Sequence, residues 1–256
     1  LDGGDQAKKV TYRDEIFTWE APFNAAPKSF FKTQQRFGGI DWSNGNFAIV
    51  SDSWYDTRNS KSYLINLKDH SSKIIDDRNY QDVYSNPGNF VENKNQFGRN
   101  VIDIKNNKAQ LIGPGFTKDG QFPFIDELDL VTMKKNRMYT SKLKNSKESI
   151  VDILDAKSGQ VLVVEQSASQ YPNYFVRNIK NGKATAVTHF ANPFESIKNV
   201  YKEVITYKRN DGVELTGTLY LPANYDRKNP KEKLPLLIWA YPREFVSKDT
   251  AGQNTQ

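Results

Sequence analysis

A chain of 256 residues with 36 Lys and Arg against 30 Asp and Glu carries a formal charge of +6, and at 29.3 kDa it can bury one large core or two modest ones. The absence of cysteine excludes disulfides, thiolate chemistry and Cys-ligated zinc. Mean hydropathy is low at -0.72, yet 13 Tyr, 15 Phe and 4 Trp are aromatics that disordered chains usually lack, so a folded, strand-rich protein is expected.

The surplus of positive charge does not read as a nucleic-acid face, because the bases are scattered among carboxylates and amides, as in residues 105–108 and 228–233. No apolar run approaches the ~20 residues that span a bilayer. The opening Leu1-Asp2-Gly3-Gly4-Asp5 has neither the basic start nor the apolar stretch of a signal peptide.

In chain order, a strand pair is predicted near 14–20 and 28–33, followed by three stretches that lay over one another as repeats. The first comprises runs 47–50, 62–67 and 73–76; the second, 101–104, 124–130 and 137–140; the third, 161–164, 173–179 and 184–188. Each opens on a near-continuous apolar run, as a strand buried on both faces requires, and continues with alternating ones. Asn44-Gly45, Asn106-Asn107, Lys157-Ser158-Gly159 and Asn181-Gly182 supply turn residues that tolerate positive φ. A spacing of about 50 to 60 residues with three or four strands per unit suits propeller blades; a β-sandwich is the competing arrangement. About four blades would not close a ring, so the chain is expected to be a piece of a longer protein.

The character changes at Ala191-Asn192-Pro193-Phe194. A hairpin is predicted from runs 204–209 and 215–221 about the turn Asn210-Asp211-Gly212, then a polar loop over 222–233, then a fully buried strand over 234–241 of the kind found inside an open α/β sheet. The expected division is a partial β-propeller over 1–192 and the first strands of an α/β-hydrolase domain over 193–256. With few residues to cover it, that last strand is expected to be disordered, shielded by another copy or prone to association.

These residues carry a resemblance. Trp54-Tyr55-Asp56-Thr57-Arg58 and residues 77–88, with Tyr207-Lys208-Arg209-Asn210-Asp211-Gly212-Val213, Gly217-Thr218-Leu219-Tyr220-Leu221-Pro222 and residues 239–245, resemble the glutamyl endopeptidase branch of the prolyl oligopeptidase family. The resemblance implies a propeller capping an α/β-hydrolase, a serine peptidase acting on peptides, and a triad of Ser, Asp and His with the Ser on a Gly-x-Ser-x-Gly elbow. No such elbow occurs here, and the only histidines, His70 and His189, lie in the repeat region and read as ordinary blade-edge or turn residues. The chain by itself is therefore expected to be inactive.

The resemblance implies one catalytic position, Tyr241, whose hydroxyl would donate to the oxyanion of a tetrahedral intermediate; the alternative is a packed aromatic at a strand end. Arg243 could face an acidic substrate side chain, or stand as a surface arginine. No cofactor or metal is implied. The compartment stays open, although bacterial members of the branch are often exported. A non-enzymatic propeller that binds protein or glycan through its loops is the reading from another class. A metal-dependent hydrolase lacks ligands, with two well-separated His and no dense carboxylate cluster.

Overall fold

The computed structural model describes residues 8–229, 233–241 and 243–253. They divide into two compact units, one running to Ser141 and the other from Lys142 onward. Strands dominate both; the regular helical structure among the described residues is one 3-10 turn, Glu195–Ile197.

The first unit opens with β1 (Asp14–Thr18) and β2 (Lys28–Thr33), a two-stranded sheet. Next comes a four-stranded antiparallel meander of β3 (Arg36–Trp42), β4 (Phe47–Trp54), β5 (Asn59–Asn66) and β6 (Ser72–Asn79). Three short strands, β7 (Asn89–Phe90), β8 (Glu92–Lys94) and β9 (Asn100–Ile102), lead to β10 (Ile104–Lys105) and β11 (Lys108–Gly113). β8 and β9 pair with each other, while β7 and β10 share one edge of β11. A small hairpin of β12 (Phe116–Thr117) and β13 (Gly120–Gln121) precedes β14 (Phe124–Asp129) and β15 (Lys135–Thr140), which continue the sheet from β11.

Burial explains the stacking. β4 and β5 alternate their side chains between two separate cores, as the period of two along a strand dictates. Ile49 and Leu64 point to a cluster with Ile102 of β9, Leu111 of β11, Leu128 of β14 and Leu130 just beyond it. Ala48, Val50, Tyr63 and Ile65 point the other way, to Phe30, with Ile16 and Phe31 packed against them. The meander is thus buried on both faces, which accounts for the unbroken apolar run in β4. Each fully buried Ile or Leu, such as Ile65 at 0% exposure, contributes about 1.5–3 kcal/mol. Successive sheets in chain order, the middle one covered on both sides, form the blade pattern of an open propeller and not a two-layer sandwich.

The second unit holds another four-stranded meander: β16 (Lys147–Asp155), β17 (Gln160–Gln166), β18 (Asn173–Asn178) and β19 (Ala184–Ala186). Val161 and Val163 are fully buried on one of its faces. Its polar interior is held by Arg177, whose Nε lies 2.7 Å from Glu148 Oε2 and whose Nη2 pairs with Glu165. A hairpin follows, β20 (Tyr201–Lys208) with β21 (Glu214–Leu221), paired in unbroken register.

The structure adds a strand that the sequence reading lacked in each of the three repeats: β3, β11 and β16. Polar or glycine-containing compositions such as RFGGIDW and KESIVDILD conceal them. The run 101–104 is split, because Asp103 breaks the ladder between β9 and β10 and donates its N–H to Val91 O. Asn106, Asn107, Gly159, Gly182 and Gly212 adopt positive φ as the turns require. Asn44-Gly45 does not; Asn44 instead receives the Ile104 N–H at 2.9 Å and donates to Asp103 at 3.0 Å, pinning a longer connection.

The largest correction concerns residues 234–241. They form no strand and are strongly exposed, with Leu237 at 90% and Trp239 at 89%. A strand is held by its ladder partners, and the described residues provide this run with none. The loop expected over 222–233 is described as far as Asn229 and again at Lys233; Pro230, Lys231 and Glu232 lie outside the described residues.

Candidate functional site

The segment that carries the expected site begins with the β20–β21 hairpin. Its turn is set by Gly212 at φ 84° and by Arg209, whose Nε and Nη2 donate to Oδ1 and Oδ2 of Asp211 at 2.9 and 2.6 Å. That fork holds the Asp211 carboxyl down at about 2, because a facing guanidinium favours the ionised form. Farther along, Arg227 donates to Glu203 at 2.8 Å and to the Tyr201 hydroxyl, tying the polar loop after β21 back onto β20.

Tyr241 lies beyond this hairpin at 84% exposure, in irregular backbone. Arg243 is exposed as well, and Pro242 between them lies outside the described residues. The phenol of Tyr241 therefore points into solvent and meets no acid, base or nucleophile among the described residues.

The two histidines do different things. His70 occupies the β5–β6 turn at φ 57°, donating its backbone N–H to Asn66 O at 2.8 Å, with its ring edge-on to Phe30 at 5.3 Å between centroids. His189 is exposed just after β19. Neither imidazole is hydrogen-bonded to a serine or a carboxylate among the described residues. Among those residues there is also no group of three or more His, Cys, Asp or Glu side chains placed to hold a metal ion.

Sequence reasoning missed a set of polar groups in the first unit. Asp41 of β3, Asp76 of β6 and Glu92 of β8 border one cavity of about 380 Å³. They stand on three different strands and share no motif, so no local signal could have joined them.

No family model matches the chain. Two curated proteins are similar to it over 98% of its length: a probable chloroplastic glutamyl endopeptidase of Oryza sativa subsp. japonica, 35% identical over 269 aligned residues, and one of Arabidopsis thaliana, 36% identical over 270. The alignments cover 29% and 28% of those proteins, so the chain spans less than a third of the length of the curated relatives it matches. Among solved structures, oligopeptidase B from Trypanosoma brucei aligns at a TM-score of 0.48 and 13% identity, over 86% of this chain and 37% of that one. Across nearly all of its length, the chain is similar to part of these two proteins, both named as probable glutamyl endopeptidases.

Proposed function

We propose that this chain is part of a serine peptidase, contributing propeller blades over 1–192 and the opening of an α/β-hydrolase domain from 193 onward. The observation that carries the reading is the 35% identity maintained over 98% of the chain but only 29% of the relative. In this reading the whole protein hydrolyses peptide bonds, after Glu as the relatives' name indicates, and the propeller restricts access by size.

The chemistry divides accordingly. A seryl hydroxyl, an imidazole and an orienting carboxylate come from outside these 256 residues, since the chain has no Gly-x-Ser-x-Gly and its two histidines sit in the β5–β6 turn and after β19. The serine attacks the scissile carbonyl as its proton passes to the imidazole, and negative charge develops on the carbonyl oxygen. Tyr241 donates its hydroxyl to that oxygen, once the segment 234–241 is paired inside a complete sheet. Arg243 faces the acidic side chain of the substrate. The 256-residue chain alone is inert.

A fluorophosphonate probe tests this division. The longer polypeptide that includes this sequence is expected to be labelled, and the 256-residue chain is not. Labelling of the short chain would overturn the assignment of the triad to other residues, and a longer polypeptide that neither labels nor cleaves peptides would overturn the peptidase reading.

A further inference from the structure

The cavity in the first unit has a physical origin in the register of the β3–β6 meander. Gly39, Ser51, Ser62 and Asp76 stand opposite one another across the four strands. The next row on the same face, Asp41, Ile49 and Leu64, is bulky where it meets the following sheet. One row of small side chains beside a row of large ones leaves space when two sheets stack at a separation fixed by the large ones. That space is the cavity of about 380 Å³, within the range that holds a small ligand.

Its lining is divided in character. Ile49, Ile75 and Leu111 give an apolar wall, closed by Phe90 from the facing strand β7. The ionisable groups on the lining are Asp41, Asp76 and Glu92, all acids, with no Lys or Arg among the lining residues. Asp76 is partly balanced by Arg78, whose Nε lies 3.1 Å from its Oδ2. The carboxylates of Asp41 and Glu92 and the hydroxyls of Ser51 and Ser62 have no hydrogen-bond or ion-pair partner among the described residues. Partial desolvation raises the Asp41 and Asp76 carboxyls above the ordinary carboxylate range; Asp76 is half-buried, whereas Asp41 and Glu92 are exposed and stand at the cavity's solvent side.

We propose that this cavity is a binding site for an organic cation, a protonated primary amine on a short aliphatic body. The ammonium would sit between Asp41 and Glu92 with the serine hydroxyls as further acceptors, and the aliphatic body would lie against Ile49, Ile75 and Leu111. The site does not depend on the peptidase reading, because its residues all lie in β3–β11. General electrostatics does not account for it either: a chain of formal charge +6 repels cations, so attraction here is local.

The test uses the full 256-residue chain with n-hexylammonium as the probe, and n-hexanol and hexanoate as matched controls, followed by methyl NMR of the isoleucines and leucines. Saturable shifts at Ile49, Ile75 and Leu111 are expected with hexylammonium, at a dissociation constant on the order of 1 mM for so small a ligand. Hexanol and hexanoate are expected to bind at least about tenfold more weakly. The pair Asp41→Asn and Glu92→Gln should weaken hexylammonium by about tenfold or more while leaving hexanol unchanged. Ser62→Leu, which fills the small row and keeps every charge, should abolish both. Absence of saturable shifts, equal binding of hexanol, or insensitivity to both sets of substitutions would each overturn the proposal; an unchanged thermal midpoint in the charge variants separates lost binding from lost fold.

Discussion

The Tyr63 hydroxyl on β5 donates to Oδ2 of Asp52 on β4 at 3.1 Å, inside the core between the first two sheets. The backbone N–H groups of Gln34 and Gln35 donate to the same oxygen at 3.1 and 3.0 Å, so one carboxylate ties the β2–β3 connection to the meander. Asp52 is 1% exposed, and its Oδ1 is buried without a hydrogen bond. Burial, the largest influence, raises this carboxyl despite the three donors, and raises the Tyr63 phenol beside it.

A pH dependence follows with a definite sign. An acid held above its unfolded value contributes fully while both states are protonated, and that contribution is lost as pH climbs from the ordinary value of 3.8 through the folded one. Asp52→Asn can accept the same backbone bonds without a charge. The thermal midpoint of the natural protein minus that of Asp52→Asn is therefore expected to fall as pH rises above the ordinary carboxylate value of 3.8. A difference that rises or stays flat would contradict the assignment. Asp52→Ala, which abandons three donors, should cost about 2–4 kcal/mol in denaturant titration at any pH.

In the second unit, Arg177 serves two carboxylates, Glu148 with no side-chain exposure and Glu165 at 15%. Removing the base leaves both acids facing a buried space. Arg177→Met is expected to destabilise by about 3–5 kcal/mol, more than Glu165→Gln, because it strands a fully buried charge. Comparing the two variants in urea titrations checks the order.

Two glycines at positive φ separate steric need from backbone preference. At Gly88, φ 86°, an added Cβ would stand 2.3 Å from the carbonyl oxygen of Ile112; at Gly98, φ 72°, it would meet nothing within 4 Å. Gly98→Ala should cost about 1 kcal/mol from conformation alone. Gly88→Ala must also move β7 off β11, and is expected to cost about 3 kcal/mol or more. Denaturation midpoints of the two variants decide the comparison.

The exposed run that includes Leu237 and Trp239 offers apolar surface to any neighbour. The 256-residue chain is expected to associate as its concentration rises, and Leu237→Asp with Trp239→Asp to shift it toward monomer in sedimentation velocity. Concentration-independent sedimentation of the natural sequence would count against this.

On the proposed peptidase reading, Tyr241→Phe is to be assayed in a longer polypeptide that includes this sequence. If its hydroxyl meets the oxyanion, kcat should fall by about 10²–10³ with KM little changed, because the interaction strengthens only as charge develops. A KM effect alone would assign the residue to substrate binding instead.

The sequence alone was sufficient for the strand-rich class, the repeated units and the β20–β21 hairpin, since each depends on local period and turn chemistry. Gly159, Gly182 and Gly212 announce their turns because only a residue without Cβ enters the left-handed region cheaply. What lay beyond it were features set by partners distant in the chain. β3, β11 and β16 are strands because neighbours complete their ladders, and their polar sequences say little about it. The run 234–241 shows the converse: an apolar pattern that predicts a buried strand remains exposed where no ladder partner is supplied. The cavity bordered by Asp41, Asp76 and Glu92 likewise exists only through cross-strand register and sheet stacking. Local composition fixes how a segment can behave, whereas the tertiary structure decides which backbone groups are paired and which carboxylates share one space.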